Sequence, residues 1–373
     1  MLKSKTQIVR LFSKTNPFVL DSGHSLPAIN VAYEIYGRLN TAGDNAILIC
    51  HALTGDAHAA GFTELSDEIL QKIPFYAHKK PQQPGWWDGL IGPGKALDTD
   101  RYFVVCPNIL GSCYGTTGPS SAQSRTGKAF GPEFPPITVR DMVRVQKALV
   151  DYLGIKRLTA VIGGSLGGMM TLEWGILFPE LTHSIIPIAA PAAHSAWAIG
   201  FNHLARQAIT TDPDWNNGYY TKQPEKGLSL ARQIAMISYR THPSFQERFG
   251  RLLQDDARDD FFRVESYLSY QGNKLVKRFD ANSMITLTKA MDGHDVGKGR
   301  GGVEAALHSI KAKTLSIGID SDLLYPVNEQ KEIAKMVPQG TYREIRSVNG
   351  HDAFLIEYDQ LNPMIKEFLN GID

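Results

Sequence analysis

The feature that most constrains the fold of this chain is an alternation of short apolar segments with amphipathic helical patterns. Six short apolar segments are predicted as strands, at residues 46–51, 102–107, 158–162, 184–189, 314–319 and 341–346. Helical patterns lie between them, at residues 139–153, 169–177 and 328–337. Several of the apolar segments carry almost no polar residue, as expected when both faces of a parallel sheet are covered. The alternation therefore predicts an α/β fold with a mostly parallel central sheet flanked by helices.

The alternation stops in the middle of the chain. Between residues 192 and 310 the sequence shows helical patterns and no convincing buried strand, and a strand pattern returns at residue 314. A helical insertion between two strands explains this return more simply than a separate C-terminal domain. We therefore predict a core domain of residues 1–191 and 311–373, with an inserted helical cap domain, or lid, of residues 192–310.

Composition and charge argue against several classes of protein. The chain has 373 residues, and its 39 Lys and Arg against 38 Asp and Glu argue against a nucleic-acid-binding protein. No apolar stretch reaches the roughly 18 residues of a membrane helix, and the first residues lack the apolar core of a signal peptide. The three cysteines have no metal-binding or disulfide spacing. We therefore predict a soluble, cytoplasmic protein with no nucleic acid, membrane or metal partner.

The strongest local motif surrounds Ser165. The run Gly163-Gly164-Ser165-Leu166-Gly167 fits G-x-S-x-G, follows an apolar strand pattern and precedes a helical one. In such a strand–turn–helix a serine is exposed on a tight turn as a nucleophile. A glycine-rich phosphate loop does not fit, because Ser165 stands where G-x-G-x-x-G needs glycine and no Gly-Lys-Ser/Thr follows. Ser165 is therefore the predicted catalytic nucleophile.

A serine nucleophile of this type needs an acid and a histidine later in the chain, in that order. His351 lies in the loop after the last predicted strand and before a helix predicted from Ala353. His242, His294 and His308 fall inside the predicted cap. Asp320 and Asp322 both follow the strand at residues 314–319. We favour Asp322, because it lies in the loop itself, and keep Asp320 as the alternative. The predicted triad is therefore Ser165, Asp322 and His351, in which the acid orients the histidine.

The oxyanion hole is predicted to consist of two backbone N–H groups. One belongs to Leu166, directly after the nucleophile, and the other to Leu53, in the loop after the strand at residues 46–51. His51 and His58 invite a metal interpretation, but only one carboxylate lies between them, so no metal site is predicted. His51 is expected to brace the loop instead.

The predicted cap contains an arginine in an apolar helical stripe. Arg232 shares one face of the helical pattern at residues 226–240 with Leu228, Ala235 and Tyr239. The arginine either extends to the surface along the helix or binds a carboxylate in the active site. Asp352, next to the predicted base, is able to bind an ammonium group. Together the two residues suggest an amino-acid substrate.

Seven segments resemble the homoserine O-acyltransferase family of α/β-hydrolase-fold enzymes. They run in order over roughly residues 16 to 370, and together they are far more specific than the serine motif. These segments are HALTGDAH (51–58), GWWDGLIGPG (85–94), NILGSCYGTTG (108–118), TVRDMV (138–143), GGSLGGM (163–169), SDLLYP (321–326) and GHD (350–352).

The resemblance implies a ping-pong transfer of an acetyl group from acetyl-CoA to the side-chain hydroxyl of L-homoserine, for methionine biosynthesis. Ser165 would carry the acyl group, and His351 would then deprotonate the homoserine hydroxyl. Arg232, Tyr239 and Asp352 match the residues that hold the amino acid. The resemblance also implies a cytoplasmic homodimer formed through the cap, with acetyl-CoA as co-substrate and no metal or other cofactor.

Several alternatives share the triad. The family includes succinyl-transferring and serine-acylating members as well as antibiotic acetyltransferases, and Met170 stands where relatives commonly have glutamine. Acetyl transfer to homoserine is preferred because the overall pattern is nearest to that branch. A plain serine esterase or thioesterase would need the same triad. A non-catalytic binding protein on a degenerate fold would be expected to lack a triad residue, and none is missing.

Overall fold

The computed structural model describes residues 2–79, 83–123, 126–254 and 261–371. Its main feature is a central sheet of eight strands in the spatial order β8-β7-β6-β5-β3-β4-β2-β1. The strands are β1 (Gln7–Leu11), β2 (Ile29–Tyr36), β3 (Ala46–Cys50), β4 (Phe103–Pro107), β5 (Leu158–Gly164), β6 (Ser184–Ile188), β7 (Lys313–Ile319) and β8 (Gly340–Ile345). Two short strand pairs lie outside the sheet, Lys3–Ser4 with Phe62–Thr63 and Phe18–Val19 with Ser25–Leu26.

The strands β3 to β8 are mutually parallel, and they coincide with the six strands predicted from the sequence. Strands β3, β4 and β6 are buried along their whole length, which explains their continuous apolar sequences. The sequence analysis missed β1 and β2, which pair antiparallel with each other at one edge of the sheet. Glu34 interrupts the apolar run of β2, and β1 is only partly buried, so neither shows the pattern of a central strand.

Eleven α-helices are present in the described part of the chain. They are α1 (Asp67–Lys72), α2 (Val139–Tyr152), α3 (Leu166–Leu177), α4 (Ala196–Thr210), α5 (Glu225–Tyr239), α6 (His242–Phe249), α7 (Arg263–Val276), α8 (Ala281–Asp292), α9 (Val303–His308), α10 (Val327–Met336) and α11 (Tyr358–Asn370). Short 3-10 turns cover Pro74–His78, Gly131–Glu133, Pro213–Gly218 and Gly350–Leu355. None of the helices in the described ranges is both long and apolar enough to cross a bilayer.

Two helix starts differ from the sequence prediction. α3 begins at Leu166 rather than at residue 169, because the glycines that follow Ser165 lower helix propensity without preventing a helix that packs on the sheet. The segment after His351 was expected to be a helix from Ala353. It forms a 3-10 turn first, and α11 begins only at Tyr358.

The helices α4 to α9 lie between β6 and β7, and within the described residues this segment adds no strand to the central sheet. α5 packs against both α4 and α7, and it also contacts the turn Gly350–Leu355 that carries His351. This contact places a helix of the predicted cap beside the predicted base. The division into core and cap at residues 192 and 310 stays a prediction.

A buried ion cluster ties the helical segment to the core. Glu173 on α3 is 1% exposed and is held by Arg300, at 2.8 Å between Nη2 and Oε2, and by Arg140, at 3.2 Å between Nε and Oε1. Arg140 belongs to α2, and Arg300 lies between α8 and α9. A carboxylate buried to this extent needs such partners, since removing them would leave an uncompensated charge. The cluster thereby fixes the α8–α9 connection on the helix that follows the nucleophile.

Candidate active site

Ser165 is the single residue between strand β5 and helix α3, and its backbone is in a conformation that side-chain-bearing residues rarely adopt. Its φ is 59° and its ψ is −124°. The Ser165 N–H donates to the Ile188 carbonyl at 3.0 Å, and the Ser165 carbonyl accepts from Gly168 N–H at 2.9 Å. These bonds to β6 and α3 hold the strained turn in place, as expected at a functional site.

The two glycines of the serine motif are required by close backbone contacts. A Cβ atom at Gly163 would lie 2.4 Å from the Cys50 carbonyl oxygen, and one at Gly167 would lie 2.0 Å from the same oxygen. Both distances are shorter than any real contact of a Cβ atom. The turn therefore packs directly on the end of β3, which brings Ser165 close to the loop that follows that strand.

His351 and Asp322 form a buried pair. His351 Nδ1 donates to Asp322 Oδ2 at 2.7 Å, and both residues are almost fully buried. Asp322 Oδ1 accepts from the backbone N–H groups of Leu324 and Tyr325, at 2.8 and 3.0 Å. Both carboxylate oxygens are thus fixed, so the histidine ring orientation is fixed as well. The remaining ring nitrogen, Nε2, is buried and has no hydrogen-bond partner among the described residues.

The alternative acid, Asp320, has a different role. Its Oδ1 accepts from the Ser347 backbone N–H at 3.0 Å, which joins the loops that follow β7 and β8. The structure therefore brings Asp322, and not Asp320, to His351.

The pKa of His351 is raised above its ordinary value. Burial alone lowers this pKa, but the negative charge of Asp322, the hydrogen bond to it and the charge of Asp352 outweigh the effect of burial. A higher pKa makes the imidazole a better proton acceptor, provided that it is neutral when the reaction begins.

Three aromatic rings surround His351. The Tyr325, Tyr239 and Phe354 ring centroids lie 5.1, 5.6 and 5.6 Å from the imidazole centroid. Phe354 also packs against Gly164, where a Cβ would lie 2.6 Å from its ring. Tyr239 and Tyr325 line the same cavity as Ser165. These contacts place His351 beside the cavity into which the serine opens.

The cavity lies between core loops and the α4–α9 segment. The core contributes Leu53, Thr54 and Ser165, and helix α5 contributes Arg232 and Tyr239. Further lining residues from the helices are mostly apolar: Ala198, Phe201, Ala205, Ala231, Ala235, Met284 and Met291. A largely apolar wall with a few polar groups is typical of a site for a small molecule.

The backbone N–H groups of Leu53 and Leu166 are both oriented by local structure. The Ala52 carbonyl accepts from Gly55 N–H at 2.9 Å and lies 2.8 Å from His51 Nδ1. Because a trans peptide places its C=O and N–H on opposite sides, the Leu53 N–H points away from these partners. Leu166 is the first residue of α3, so its N–H has no partner inside the helix.

His51 braces this loop through both of its ring nitrogens. His51 Nδ1 lies 2.8 Å from the Ala52 carbonyl oxygen, and Nε2 lies 3.2 Å from the Ile109 backbone nitrogen and 3.0 Å from Asn108 Oδ1. Burial lowers the pKa of His51, which favours the neutral imidazole. Among the described residues no group of three or more His, Cys, Asp or Glu side chains is arranged to hold a metal ion.

Arg232 and Tyr239 share one face of α5, as the helical spacing predicted, and both line the cavity. The Arg232 guanidinium carbon is 5.6 Å from the Tyr239 ring centroid, a distance compatible with a cation–π contact. No carboxylate forms an ion pair with Arg232 in the described part of the chain. Burial lowers the pKa of Arg232, and the nearby Arg278 guanidinium acts in the same direction. A partly buried guanidinium without a counter-ion is suited to an anionic ligand.

Asp352 has a partner that the sequence analysis missed. Its Oδ2 lies 3.2 Å from Arg240 Nη2, and Arg240 Nη1 donates to Asn349 Oδ1 at 3.1 Å. Asp352 influences the pKa of both Arg232 and Tyr239, so it lies near the same end of the cavity. Only the structure reveals the role of Arg240, since nothing in its spacing distinguishes it from a surface arginine.

His194 is a second residue that the sequence analysis missed. It follows β6, lines the cavity, and its Nε2 lies 3.0 Å from the Tyr325 hydroxyl. Its Nδ1 lies 3.3 Å from Asp292 Oδ1, and Asp292 in turn pairs with Arg206 at 2.6 Å. A lone histidine after a strand gives no specific signal, so only the fold could identify it.

Comparison with known proteins agrees with this geometry. The family described as "alpha/beta hydrolase fold" matches residues 45–358, and the chain is therefore an α/β-hydrolase-fold protein, as predicted. A homoserine O-acetyltransferase of Moorella thermoacetica is 52% identical over 95% of this chain and 93% of its own length. One of Trichormus variabilis is 51% identical over 95% and 92%.

Solved structures of a homoserine O-acetyltransferase and of an esterase share the fold of this chain. A homoserine O-acetyltransferase from Bacillus anthracis has a TM-score of 0.88 and 30% identity, covering 99% of this chain and 98% of that one. Esterase E22 has a TM-score of 0.86 and 30% identity, covering 98% and 100%. This chain belongs to the homoserine O-acetyltransferase family, and it is an enzyme of the acyltransferase class.

The acid limb of the activity profile tests the assignment of His351. The base must be neutral to accept the serine proton, and its pKa is raised, so activity should fall at a higher pH than an ordinary histidine would give. Asp352→Asn removes one charge that raises this pKa, so we expect the acid limb to move to lower pH. The measurement is the pH profile of kcat/KM for p-nitrophenyl acetate, which reports acylation of Ser165. Asp320→Asn is the matched control, and a limb that stays in place in Asp352→Asn would contradict the assignment.

Proposed function

We propose that this enzyme transfers an acetyl group from acetyl-CoA to the side-chain hydroxyl of L-homoserine through an acyl-Ser165 intermediate. The observation that carries the proposal is Arg232, a guanidinium without a carboxylate partner among the described residues, in the wall of the cavity that Ser165 lines. The names of the most similar relatives support the same substrate and acyl group.

In the first half-reaction Ser165 Oγ attacks the thioester carbonyl of acetyl-CoA. His351 Nε2, which has no partner in the described structure, takes the serine proton, and Asp322 stabilises the resulting imidazolium. The N–H groups of Leu53 and Leu166 donate to the oxyanion of the tetrahedral intermediate. When the intermediate collapses, the C–S bond breaks and His351 returns the proton to the CoA sulfur.

In the second half-reaction the homoserine hydroxyl attacks the acyl-serine. His351 removes the hydroxyl proton and then returns it to Ser165 Oγ as the C–O bond to the enzyme breaks. Arg232 is proposed to bind the carboxylate of homoserine, with Tyr239 beside it. Asp352 is proposed to bind the ammonium group through Oδ1, because Oδ2 already pairs with Arg240.

A plain serine esterase is the second candidate, and the likeness of the fold to esterase E22 favours it. Esterase and transferase would share the triad and the oxyanion hole, and they would differ in whether water or the acceptor reaches the acyl-serine. The apolar lining of the cavity favours the transferase, since exclusion of water protects the intermediate. Arg232, which forms no ion pair in the described part of the chain, also favours it. Succinyl-CoA as donor and serine as acceptor are the alternatives within the family.

We propose that the enzyme acts in the cytoplasm, in methionine biosynthesis, as a homodimer formed through a cap of residues 192–310. Large apolar side chains exposed on α4, α5 and α7 support the dimer, namely Trp197, Leu204, Leu230, Ile237 and Tyr270.

Sedimentation equilibrium should give the mass of two chains. Replacing Trp197 and Ile237 together by Ser should shift the measured mass toward that of one chain. A wild-type mass of one chain would contradict the dimer.

Release of CoA thiol tests the reaction directly. We expect sustained release only when acetyl-CoA and homoserine are both present, because without an acceptor the enzyme stays acylated and cannot react with a second acetyl-CoA. Ser165→Ala should reduce this release by roughly 10⁴-fold or more, since the nucleophile is lost. Release with succinyl-CoA or serine instead would move the enzyme to a sister branch, and equal release without any acceptor would identify a hydrolase.

Arg232 should matter for homoserine and not for acetyl-CoA. We expect Arg232→Ala to lower kcat/KM for homoserine by about 10- to 100-fold, the loss typical of a hydrogen-bonded charge. The initial burst of thiol from acetyl-CoA, which reports acylation alone, should keep its rate. Steady-state and rapid-mixing kinetics measure the two quantities. An unchanged kcat/KM for homoserine would mean that Arg232 does not bind the acceptor.

A further inference from the structure

We propose that Arg278 is a positioning residue that holds the loop bearing the Leu53 N–H, so that the oxyanion hole depends on the helical segment as well as on the core. Arg278 lies between α7 and α8, far in sequence from the loop after β3. The inference rests on the proposed acyl transfer through Ser165, but it applies equally to any acyl donor that Ser165 attacks.

The guanidinium of Arg278 hydrogen-bonds to Thr54, the residue directly after Leu53. Its Nη1 donates to the Thr54 carbonyl at 2.8 Å, and its Nη2 donates to Thr54 Oγ1 at 3.2 Å. Leu53 and Thr54 both line the cavity together with Ser165. Two nitrogens of one planar group therefore hold both the carbonyl and the hydroxyl of Thr54. Because Thr54 directly follows Leu53, these bonds also restrict the peptide that joins the two residues.

Arg278 is itself held by a rigid part of the core. Its Nη1 also donates to the Tyr114 hydroxyl at 2.9 Å. Tyr114 is buried, and its ring packs against Phe279 and Tyr76, with centroid distances of 5.7 and 5.6 Å. Tyr114 belongs to the loop after β4, so Arg278 links the loops that follow two neighbouring strands.

The same loop is anchored from its other end by His51. His51 joins the Ala52 carbonyl to Ile109, which also lies in the loop after β4. The residues on both sides of Leu53 are thus held by hydrogen bonds: Ala52 by His51 of the core, and Thr54 by Arg278 of the helical segment. An oxyanion donor must be held within a few tenths of an ångström of its working position, which two braces achieve better than one.

The identity of the residue agrees with a positioning role. All the acceptors of Arg278 are neutral, and no carboxylate pairs with it within the described residues. A lysine presents a single nitrogen and so cannot reach the two Thr54 oxygens and the Tyr114 hydroxyl in the same planar arrangement. Arg278→Lys therefore keeps the charge and removes the geometry, which separates the two possible contributions.

The test measures each half-reaction separately in Arg278→Lys and Arg278→Gln. Rapid mixing with acetyl-CoA alone gives the acylation rate, and adding homoserine to the acyl-enzyme gives the deacylation rate. Because one oxyanion hole serves both tetrahedral intermediates, we expect both rates to fall by roughly 10- to 100-fold. The KM for homoserine should change by less than about 3-fold. Thr54→Val, which removes only the contact to Oγ1, should give a smaller loss in both rates.

Two controls make the outcome specific. Lys277→Gln removes a charge from the exposed neighbouring residue and should leave both rates unchanged. Arg232→Lys should slow only the homoserine half-reaction. The burst of p-nitrophenol from p-nitrophenyl acetate repeats the acylation measurement without acetyl-CoA or homoserine, so it tests Arg278 even if the proposed substrates are wrong.

Three results would overturn the proposal. The first is that Arg278→Lys raises only the KM for homoserine, which would make Arg278 a ligand of the acceptor. The second is that both variants lower the unfolding temperature while acylation by either donor keeps its rate, which would make the role structural. The third is that Arg278→Lys acylates as fast as the wild type while Arg278→Gln does not, which would make the positive charge alone sufficient.

Discussion

The contact between the Ser165 turn and the end of β3 is the constraint on which the rest of the site depends. Gly163 and Gly167 approach the Cys50 carbonyl so closely that neither position has room for a Cβ atom. This packing forces Ser165 into its positive φ and directs its side chain to the carboxyl edge of the sheet. The same contact sets Ser165 beside the loop of Leu53, because that loop begins where β3 ends. One backbone contact therefore places both the proposed nucleophile and a proposed oxyanion donor.

The parallel sheet supplies the other half of this arrangement. The loops after β7 and β8 open at the same edge as the Ser165 turn, since parallel strands share the direction of their carboxyl ends. Asp322 and His351 meet there, and the two backbone N–H groups on Asp322 Oδ1 leave only Oδ2 for the imidazole. The fold thereby fixes the histidine tautomer, because Nδ1 must carry the proton that it donates to Asp322. Nε2 has no partner among the described residues, which suits the proton transfer proposed for it.

The sequence predicted the parts of the molecule that depend on local pattern. The continuous apolar runs identified the parallel strands, and the spacing of Arg232 and Tyr239 put both on one helix face, which in the structure lines the cavity. The sequence could not predict β1, which is only partly buried, or β2, because Glu34, although buried, breaks the apolar run of that strand. It also could not identify Arg240, His194 or Arg278. Each acts through a partner that is distant in the chain, and no spacing rule connects a residue to such a partner.

The helical segment contributes charged groups to the site in addition to covering it. The core places one buried carboxylate, Asp322, behind the imidazole, whereas the helical segment contributes Arg232 to the cavity wall and Arg278 to the loop of Leu53. One of these guanidiniums is occupied by neutral oxygens of the oxyanion loop and the other lacks an anionic partner within the described residues. A plain hydrolase would need the first arrangement to stabilise its oxyanion, but it would have no carboxylate of an acceptor to bind through the second. Under the proposed transfer, Arg278 would support the oxyanion loop, and Arg232, which has no ion pair among the described residues, would bind the acceptor.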